Sequence, residues 1–259
     1  AMLAGVYKSH PNNIIYLTKK FRLDTKDIGE ILSMIDPAVR QRYDYDNIQK
    51  LYTEYVADKV EDHNQIEQLK RLIEGKEVFI MVPGNSLNTY RQEIDDYISK
   101  KHPIVISVNF VAEHPEIISF FGNAKRYSRL KEKRNGRKVI ISSNVKSDTD
   151  QDIVVNYHSL INRGYKYFEN STIMLLNLLK RVNPRKVTIA GFDGFSENVD
   201  KNYVDASYQN ERHITEFKEL NDELAKMFGE IVETMSPGCR FDMITPSKFK
   251  AVINGNRNS

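Results

Sequence analysis

Short runs of apolar, mostly β-branched residues recur along the chain from Glu77 onward, and segments with helical periodicity separate them. Continuous apolar runs of this length are typical of strands that are buried on both faces of a parallel sheet. We therefore predict an α/β, Rossmann-like fold, with a mostly parallel sheet and helices on both of its faces. The predicted strands are residues 78–82, 104–108, 117–121, 139–141, 153–155, 187–190 and 241–244.

The residues before Glu77 carry no strand pattern and instead show three amphipathic helical stretches. The last of these has Ile66, Leu69 and Ile73 on one face and stops at Gly75, a residue typical of the position after a helix. The pattern predicts three regions along the chain. They are an all-helical segment over 1–75, a Rossmann-like nucleotide-binding domain over 76–250 and a disordered tail over 251–259.

The composition of the chain limits which partners and which cellular compartment we expect for it. The formal net charge of +3 is too small to indicate nucleic acid as a partner. The single cysteine, Cys239, excludes an internal disulfide and fits a reducing compartment. No apolar run approaches the ~20 residues of a membrane span, and the N-terminus lacks the pattern of a signal peptide. We expect a cytoplasmic protein, and the way the sequence begins indicates a C-terminal piece of a longer chain.

The first predicted strand runs directly into a small polar turn, Pro83-Gly84-Asn85-Ser86, and an amphipathic helix follows. Such a junction is a common phosphate cradle, because free backbone N–H groups and the positive helix end face the anion. The turn matches neither the dinucleotide-binding glycine motif nor a P-loop. It predicts that the N–H groups of residues 84–87 bind a nucleotide phosphate.

Small polar residues also follow most of the other predicted strands. Asn109 follows the second strand, Asn123 the third, Asn144 the fourth and Asp193 the sixth. Because the carboxyl ends of parallel strands share one edge of the sheet, we predict that these side chains line one polar ligand cleft. The alternative is ordinary turn chemistry, since Asn, Ser, Asp and Gly favour turns wherever they occur.

Two side chains are candidates for catalysis. Asp193 could bind a ribose hydroxyl, hold a metal or orient a sugar, and the alternative is that it caps the next loop. His213 lies in the first turn of a helix predicted over 211–228, where the positive helix end lowers the pKa of an imidazole and favours a neutral base. Spacing alone favours a hydrogen-bonded structural histidine there. No Cys/His cluster has metal-ligand spacing, so we predict no metal site.

The segment 125–138 holds eight basic residues and one acidic residue. A solvated face is the preferred interpretation of such a run. Because the segment follows the third strand, Arg126 and Arg129 could instead reach over the cleft and contact phosphates.

Several of these elements occur in a fixed order along residues 77–250. They are the 83–87 turn, Asn109 in ISVNF, Asn170-Ser171-Thr172, Gly191-Phe192-Asp193, His213 and Thr245-Pro246-Ser247. The order resembles that of the bacterial sialyltransferase superfamily and of the related MptE-like Rossmann domains. The resemblance implies that the turn and Asn109 bind a CMP-sugar and that His213 is the general base on an acceptor hydroxyl. It adds Ser171, so the predicted binding residues are Gly84, Asn85, Ser86, Asn109, Asn123 and Ser171.

A second resemblance covers the residues up to about position 60, which contain HPNNIIYL, LDTKDIGEILSMI and YDYDNIQKLYTEY. They resemble the helical region after the barrel of HMG-CoA-lyase-like aldolases, often labelled 4-hydroxy-2-oxovalerate aldolases, found beside surface-polysaccharide genes. The resemblance implies the C-terminal region of such a bacterial protein, with the aldolase barrel as a partner in cis. The H-x-H metal ligands of the aldolase are absent from this sequence, so the divalent metal and the lyase activity would belong to the barrel.

Three hypotheses for function follow. The first is a nucleotide or nucleotide-sugar binding domain, acting as a sialyltransferase-like transferase if it is an enzyme. The second is a non-catalytic scaffold, whose helical segment docks on the barrel or forms a homodimer. The third is a pyrophosphokinase-like enzyme, which would need Mg²⁺ carboxylates near the cleft, where Asp193 is the one strong candidate. No cofactor is predicted beyond a nucleotide ligand.

Overall fold

The computed structural model describes residues 60–134, 136–162, 165, 167–198, 202–208 and 217–255. The chain divides between residues 60 and 61, and all described residues except Val60 belong to the unit that begins at Glu61. This unit is an α/β fold around a seven-stranded sheet in which every neighbouring pair of strands is parallel. The predicted Rossmann-like fold is confirmed. The first two predicted helical stretches and His213 lie outside the described residues.

The strands agree with those predicted from the sequence, and their ends differ by at most one residue. β3 and β4 are buried at every position, as is typical of such mostly apolar strands in a parallel sheet. The strands are β1 (Glu77–Met81), β2 (Ile104–Val108), β3 (Ile118–Phe121), β4 (Val139–Ser142), β5 (Ile153–Val155), β6 (Lys186–Ala190) and β7 (Arg240–Met243).

Helices cover both faces of the sheet. The described helices are α1 (His63–Ile73), α2 (Ser86–Thr89), α3 (Arg91–Lys101), α4 (Ala124–Tyr127), α5 (Ser171–Val182), α6 (Phe217–Thr234) and α7 (Lys250–Gly255). On one face α3 packs against Phe79 of β1, and α4 packs against Phe121 of β3. On the other face Phe228 of α6 contacts Phe241 of β7, and α5 packs against both α1 and α6.

None of the helices in the described part of the chain combines the length and the apolar character needed to cross a membrane.

The two ends of the unit differ from the predicted boundaries. At the start, α1 packs against α5 and β5, and Asp62 forms an ion pair with Arg181 of α5 at 2.6 Å. The unit therefore begins at Glu61, ahead of the boundary predicted between residues 75 and 76. At the other end, α7 continues to Gly255 and buries Ile253, although the sequence predicts a disordered tail from residue 251. Residues 256–259 lie outside the described residues.

The strand order, β5-β4-β3-β2-β1-β6-β7, places a change of direction beside β1. From β1 the chain moves outward through β2 to β5, and it then returns to the other side of β1 for β6 and β7. The connections after β1 and β6 leave in opposite directions, which opens a crevice at the carboxyl ends of these strands. Ligands of open α/β sheets bind at this switch point, so the loops after β1 and β6 define the centre of the candidate site.

Candidate functional site

Two glycine-containing loops, one after β1 and one after β6, contact each other at the crevice between these strands. The Gly84 amide donates to the carbonyl oxygen of Gly191 at 3.1 Å, and Gly191 has a φ of +78°. A Cβ on Gly84 would lie 2.2 Å from the Gly191 oxygen and 2.7 Å from Oδ2 of Asp193. A Cβ on Gly191 would lie 1.9 Å from the carbonyl oxygen of Val82. The loops can approach this closely only because both positions are glycine.

Asp193 occupies the turn that the sequence predicts as a phosphate cradle. Its Oδ2 accepts a hydrogen bond from the Ser86 amide at 2.8 Å, and its Oδ1 accepts one from the Ser86 hydroxyl. The amides of Gly84 and Leu87 donate to main-chain carbonyls. The helix that follows, α2, has only four residues, so its dipole is small. The Asp193 carboxyl therefore occupies the place that the sequence predicts for a ligand phosphate. The Ser86 amide is not available to such a phosphate, because it already donates to Asp193.

The Asp193 carboxyl is a perturbed group at the switch point. Burial raises its pKa, and the two hydrogen bonds from Ser86 lower it by less, so the pKa lies above the usual value. No Lys or Arg side chain in the described part of the chain forms an ion pair with it. The contacts resemble those of a capping residue, but Asp193 caps the turn after β1 and not the loop that follows it, which was the alternative predicted from the sequence.

A second group of predicted residues meets at the carboxyl ends of β2 and β3. Asn109 Nδ2 donates to Ser171 Oγ at 2.7 Å, and Asn109 Oδ1 accepts the Gly122 amide at 3.2 Å. Asn109 has a φ of +59°, which asparagine adopts more readily than most residues. A Cβ on Gly122 would lie 2.8 Å from Ser171 Oγ, so a larger residue there would displace this hydroxyl. The structure thus brings together two predicted binding residues that are 62 positions apart.

Other asparagines at this edge serve as helix caps. Asn123 is exposed, and its Oδ1 accepts the Arg126 amide at the start of α4 at 3.1 Å. Asn170 accepts two amides of the first turn of α5 at 3.0 and 3.3 Å, directly before Ser171. Turn and cap chemistry accounts for these two residues, whereas Asn109 and Ser171 bond to each other across elements.

Residues 202–208, here called the strap, cross the carboxyl edge of the sheet. At one end the Val204 amide donates to the Pro83 carbonyl at 3.0 Å, and Asn88 Nδ2 donates to the Val204 carbonyl at 2.9 Å. At the other end the strap is bound by side chains from the segment that follows β3. The strap therefore joins the loop after β1 to the segment after β3, and β2 lies between these two strands in the sheet.

Arg126 and Arg129 hold this second end of the strap. Arg126 donates to the Tyr208 carbonyl, and its guanidinium carbon lies 4.6 Å from the centroid of the Tyr208 ring. Arg129 donates to the carbonyl of Ser207 at 2.8 Å and to its hydroxyl at 3.1 Å. Burial, together with the nearby Arg129 charge, lowers the pKa of Arg126. A solvated face therefore describes the exposed Arg129 but not Arg126, which is half-buried.

An open pocket of about 460 Å³ lies beside the switch point, at the carboxyl ends of β6 and β7. The rings of Phe195 and Phe217 stack there with centroids 5.8 Å apart. The Asn221 amide accepts the Phe195 N–H and donates to the Phe195 carbonyl, both at 2.8 Å, and Lys248 donates to the same carbonyl. Neither Asn221 nor Lys248 was predicted from the sequence, because each is an isolated polar residue that belongs to no motif.

The strap was not predicted from the sequence either. Its residues show neither helical nor strand periodicity, and Tyr203 and Tyr208 belong to no motif. One signal was present: the connection between the end of β6 at Ala190 and the start of α6 at Phe217 is long, and long connections often carry function.

No protein-family model matches this chain, and no curated protein matches its sequence. The first resemblance therefore rests on the order of the motifs alone, and the second rests on the segments quoted for it. Over the ranges that the structure describes, no three His, Cys, Asp or Glu side chains group together in a way that could hold a metal ion. The fold and geometry define a Rossmann-like α/β domain with a polar, partly cationic carboxyl edge.

Proposed function

We propose that the unit beginning at Glu61 binds a nucleotide or a nucleotide-sugar at the carboxyl ends of β1, β2 and β3. The observation that carries this proposal is the contact between Asn109 and Ser171 at the same sheet edge as the strap that two arginines hold. An amide and a hydroxyl both donate and accept hydrogen bonds, as the edges of a base and the hydroxyls of a ribose require. Guanidinium groups suit the phosphates of the same ligand.

The ligand groups are distributed along this edge. Asn109 and Ser171 contact the base or the ribose, and Asn123 lies at the start of the neighbouring helix. While Asp193 accepts the Ser86 amide, a phosphate at the 83–87 turn would meet a carboxylate instead of a free donor. The phosphate therefore lies on the strap side of the cleft, and Gly84, Asn85 and Ser86 form the wall nearest β1.

A glycosyl transfer is the enzymatic form of this proposal. His213, from outside the described residues, takes the proton of an acceptor hydroxyl, whose oxygen forms a bond to the anomeric carbon of the donor sugar. The bond from that carbon to the phosphate oxygen breaks, and the nucleotide leaves with the electron pair. General-base catalysis contributes ~10²–10⁴-fold to such a step. His213→Ala then removes turnover and leaves nucleotide binding unchanged. The cytoplasmic location and the aldolase barrel in cis belong to the same proposal and rest on the sequence.

A thermal-shift series tests the binding proposal. At least one of CMP, CDP, UDP and CMP-sialic acid at millimolar concentration should raise the melting temperature, since a ligand at about 100 times its Kd stabilises a fold by about 2.7 kcal/mol. Asn109→Asp tolerates the positive φ but removes the donor to Ser171, so it should lose the shift.

The matched control is Asn183→Asp. Asn183 also has a positive φ, +51°, but it caps the opposite end of α5. This variant should keep the ligand-induced shift. If no nucleotide raises the melting temperature of the parent protein, the binding proposal fails and the scaffold hypothesis explains the domain better.

A further inference from the structure

We infer that Arg126 and Arg129 form a phosphate subsite under the strap, fitted to the diphosphate of a nucleotide. The inference rests on the proposed function, because it assigns the place of the ligand's phosphates within the same cleft. It also moves those phosphates away from the 83–87 turn, where the sequence places them.

The first observation is that both guanidinium groups bond only to neutral acceptors. Within the described residues Arg126 donates to the Tyr208 carbonyl, and Arg129 donates to the carbonyl and hydroxyl of Ser207. Two other arginines of the same unit have carboxylate partners: Arg134 pairs with Asp152 at 2.7 Å, and Arg181 pairs with Asp62 at 2.6 Å. Neighbouring cations without a carboxylate are suited to an anionic ligand.

The second observation is an unsatisfied donor. Nη1 of Arg126 is buried and has no hydrogen-bond acceptor. A buried donor on a charged group is costly to leave unpaired, and a phosphate oxygen is a strong acceptor for it. Nε of Arg137 is also unsatisfied, but the rest of that guanidinium donates to the carbonyls of Ala112, His114 and Ile117. Arg137 therefore fixes a loop, whereas in the described part of the chain the Arg126 guanidinium donates its one hydrogen bond to the strap.

The third observation is the position of the two arginines at the carboxyl edge of the sheet. Arg126 lies in α4, directly after the carboxyl end of β3, and the strap connects it to Pro83 after β1. A ligand that lies over Asn109 has the arginines on the β3 side. The guanidinium of Arg126 lies over the Tyr208 ring, and this cation–π contact helps to hold it in place. Arg129 is exposed and can exchange its contacts with Ser207 for phosphate oxygens, because a hydrogen bond to an anion is stronger than one to a neutral acceptor.

Isothermal titration calorimetry on the full chain tests the subsite with pyrophosphate, CDP, UDP and the uncharged nucleosides cytidine and uridine. The double variant Arg126→Gln/Arg129→Gln should lower the affinity for pyrophosphate and for nucleoside diphosphates by about tenfold or more, because hydrogen bonds between charged groups are lost. It should leave the affinity for nucleosides unchanged.

The matched control is Lys125→Gln/Lys138→Gln, which removes the same charge from two exposed positions of the same basic segment. It should change diphosphate affinity by less than about threefold, because exposed charges are screened. If the arginine variant behaves as the lysine variant does, the subsite is overturned. Arg129→Gln alone, at an exposed position, replaces the double variant if the loss of Arg126 prevents folding.

The ligand series separates failure of the subsite from failure of the proposed function. Arginine-dependent binding of pyrophosphate without binding of any nucleoside or nucleotide supports the subsite and contradicts the proposed function. Binding of CDP or UDP that does not depend on the arginines supports the proposed function and overturns the subsite. If neither pyrophosphate nor a nucleotide binds, both are overturned.

Discussion

Gly84 is the residue at which the two central loops come closest. Its backbone lies against Gly191 and Asp193, and a Cβ there would be 2.2 Å from the Gly191 oxygen. We expect Gly84→Ala to lower the free energy of unfolding by about 1–3 kcal/mol or more, because main-chain atoms cannot move aside as a flexible side chain can. Urea denaturation measures this loss.

Gly229→Ala is the control for the glycine prediction. Gly229 lies within α6, and the nearest atom to its added Cβ is Val252 Cγ1 at 3.6 Å. This variant should be neutral or more stable by about 0.5–1 kcal/mol, since alanine is the better helix former. Equal stabilities of the two variants would contradict the close approach at Gly84.

Asp193 and Asp152 should affect stability with opposite dependence on pH. Burial raises the pKa of Asp193, so its contribution is fully present below the usual value of 3.8 and is lost as the pH rises through the folded-state pKa. Burial also raises the pKa of Asp152, but hydrogen bonds from Arg134, Tyr127 and Ser147 outweigh it and lower the pKa. The contribution of Asp152 is therefore present above 3.8 and is lost as the pH falls through its folded-state pKa.

Urea denaturation of Asp193→Asn and Asp152→Asn, from about pH 3 to about pH 7, checks these signs. The stability of the parent relative to Asp193→Asn should fall as the pH rises, and its stability relative to Asp152→Asn should increase. Slopes of the same sign would show that one of the two carboxyl environments is described wrongly.

At the scale of elements, α5 positions Ser171 for its contact with Asn109. Its cap, Asn170, satisfies two amides of the first turn. We expect Asn170→Ala to cost about 1 kcal/mol of unfolding free energy, the usual effect of losing such a cap, and to weaken nucleotide binding through Ser171.

Asn156→Ala is the comparison for the α5 cap, because Asn156 caps only a three-residue 3-10 turn, Tyr157–Ser159. Its loss should cost less and leave nucleotide affinity unchanged. Calorimetry and urea denaturation on both variants measure the two effects, and an equal loss of affinity would contradict the role of the α5 cap.

The strands could be predicted from the sequence, whereas the contacts of the site could not. β3 and β4 are apolar at nearly every position, and only a buried parallel strand accommodates that pattern. The bond from Ser86 to Asp193 joins residues 107 positions apart. The sequence shows that both belong to turns, but not that the carboxylate of one turn satisfies the amide of the other. The strap was not predictable for a related reason, since most of the hydrogen bonds described for it go to main-chain carbonyls, which any sequence offers.

At the scale of the whole described unit, the two edges of the sheet differ in chemistry. The carboxyl edge collects Asn109, Ser171, Asp193 and the two strap arginines. At the amino edge the Gly75 amide donates to the Asn183 carbonyl at 3.0 Å, and the Arg185 amide donates to the Lys76 carbonyl at 2.9 Å. Main-chain groups thus pair with each other at the amino edge, where the charged side chains of Glu77 and Lys186 also pair with each other at 3.4 Å. The carboxyl edge carries the polar side chains that we assign to a ligand.

Hydrogen–deuterium exchange with and without nucleotide tests the central claim, that the ligand binds at the carboxyl edge. With the nucleotide that gives the largest thermal shift, peptides containing Asn109, Ser171 and the strap should exchange more slowly. Peptides from the amino edge, around Gly75 and Arg185, should exchange at an unchanged rate. Protection confined to the amino edge, or no protection anywhere at saturating nucleotide, would contradict the claim.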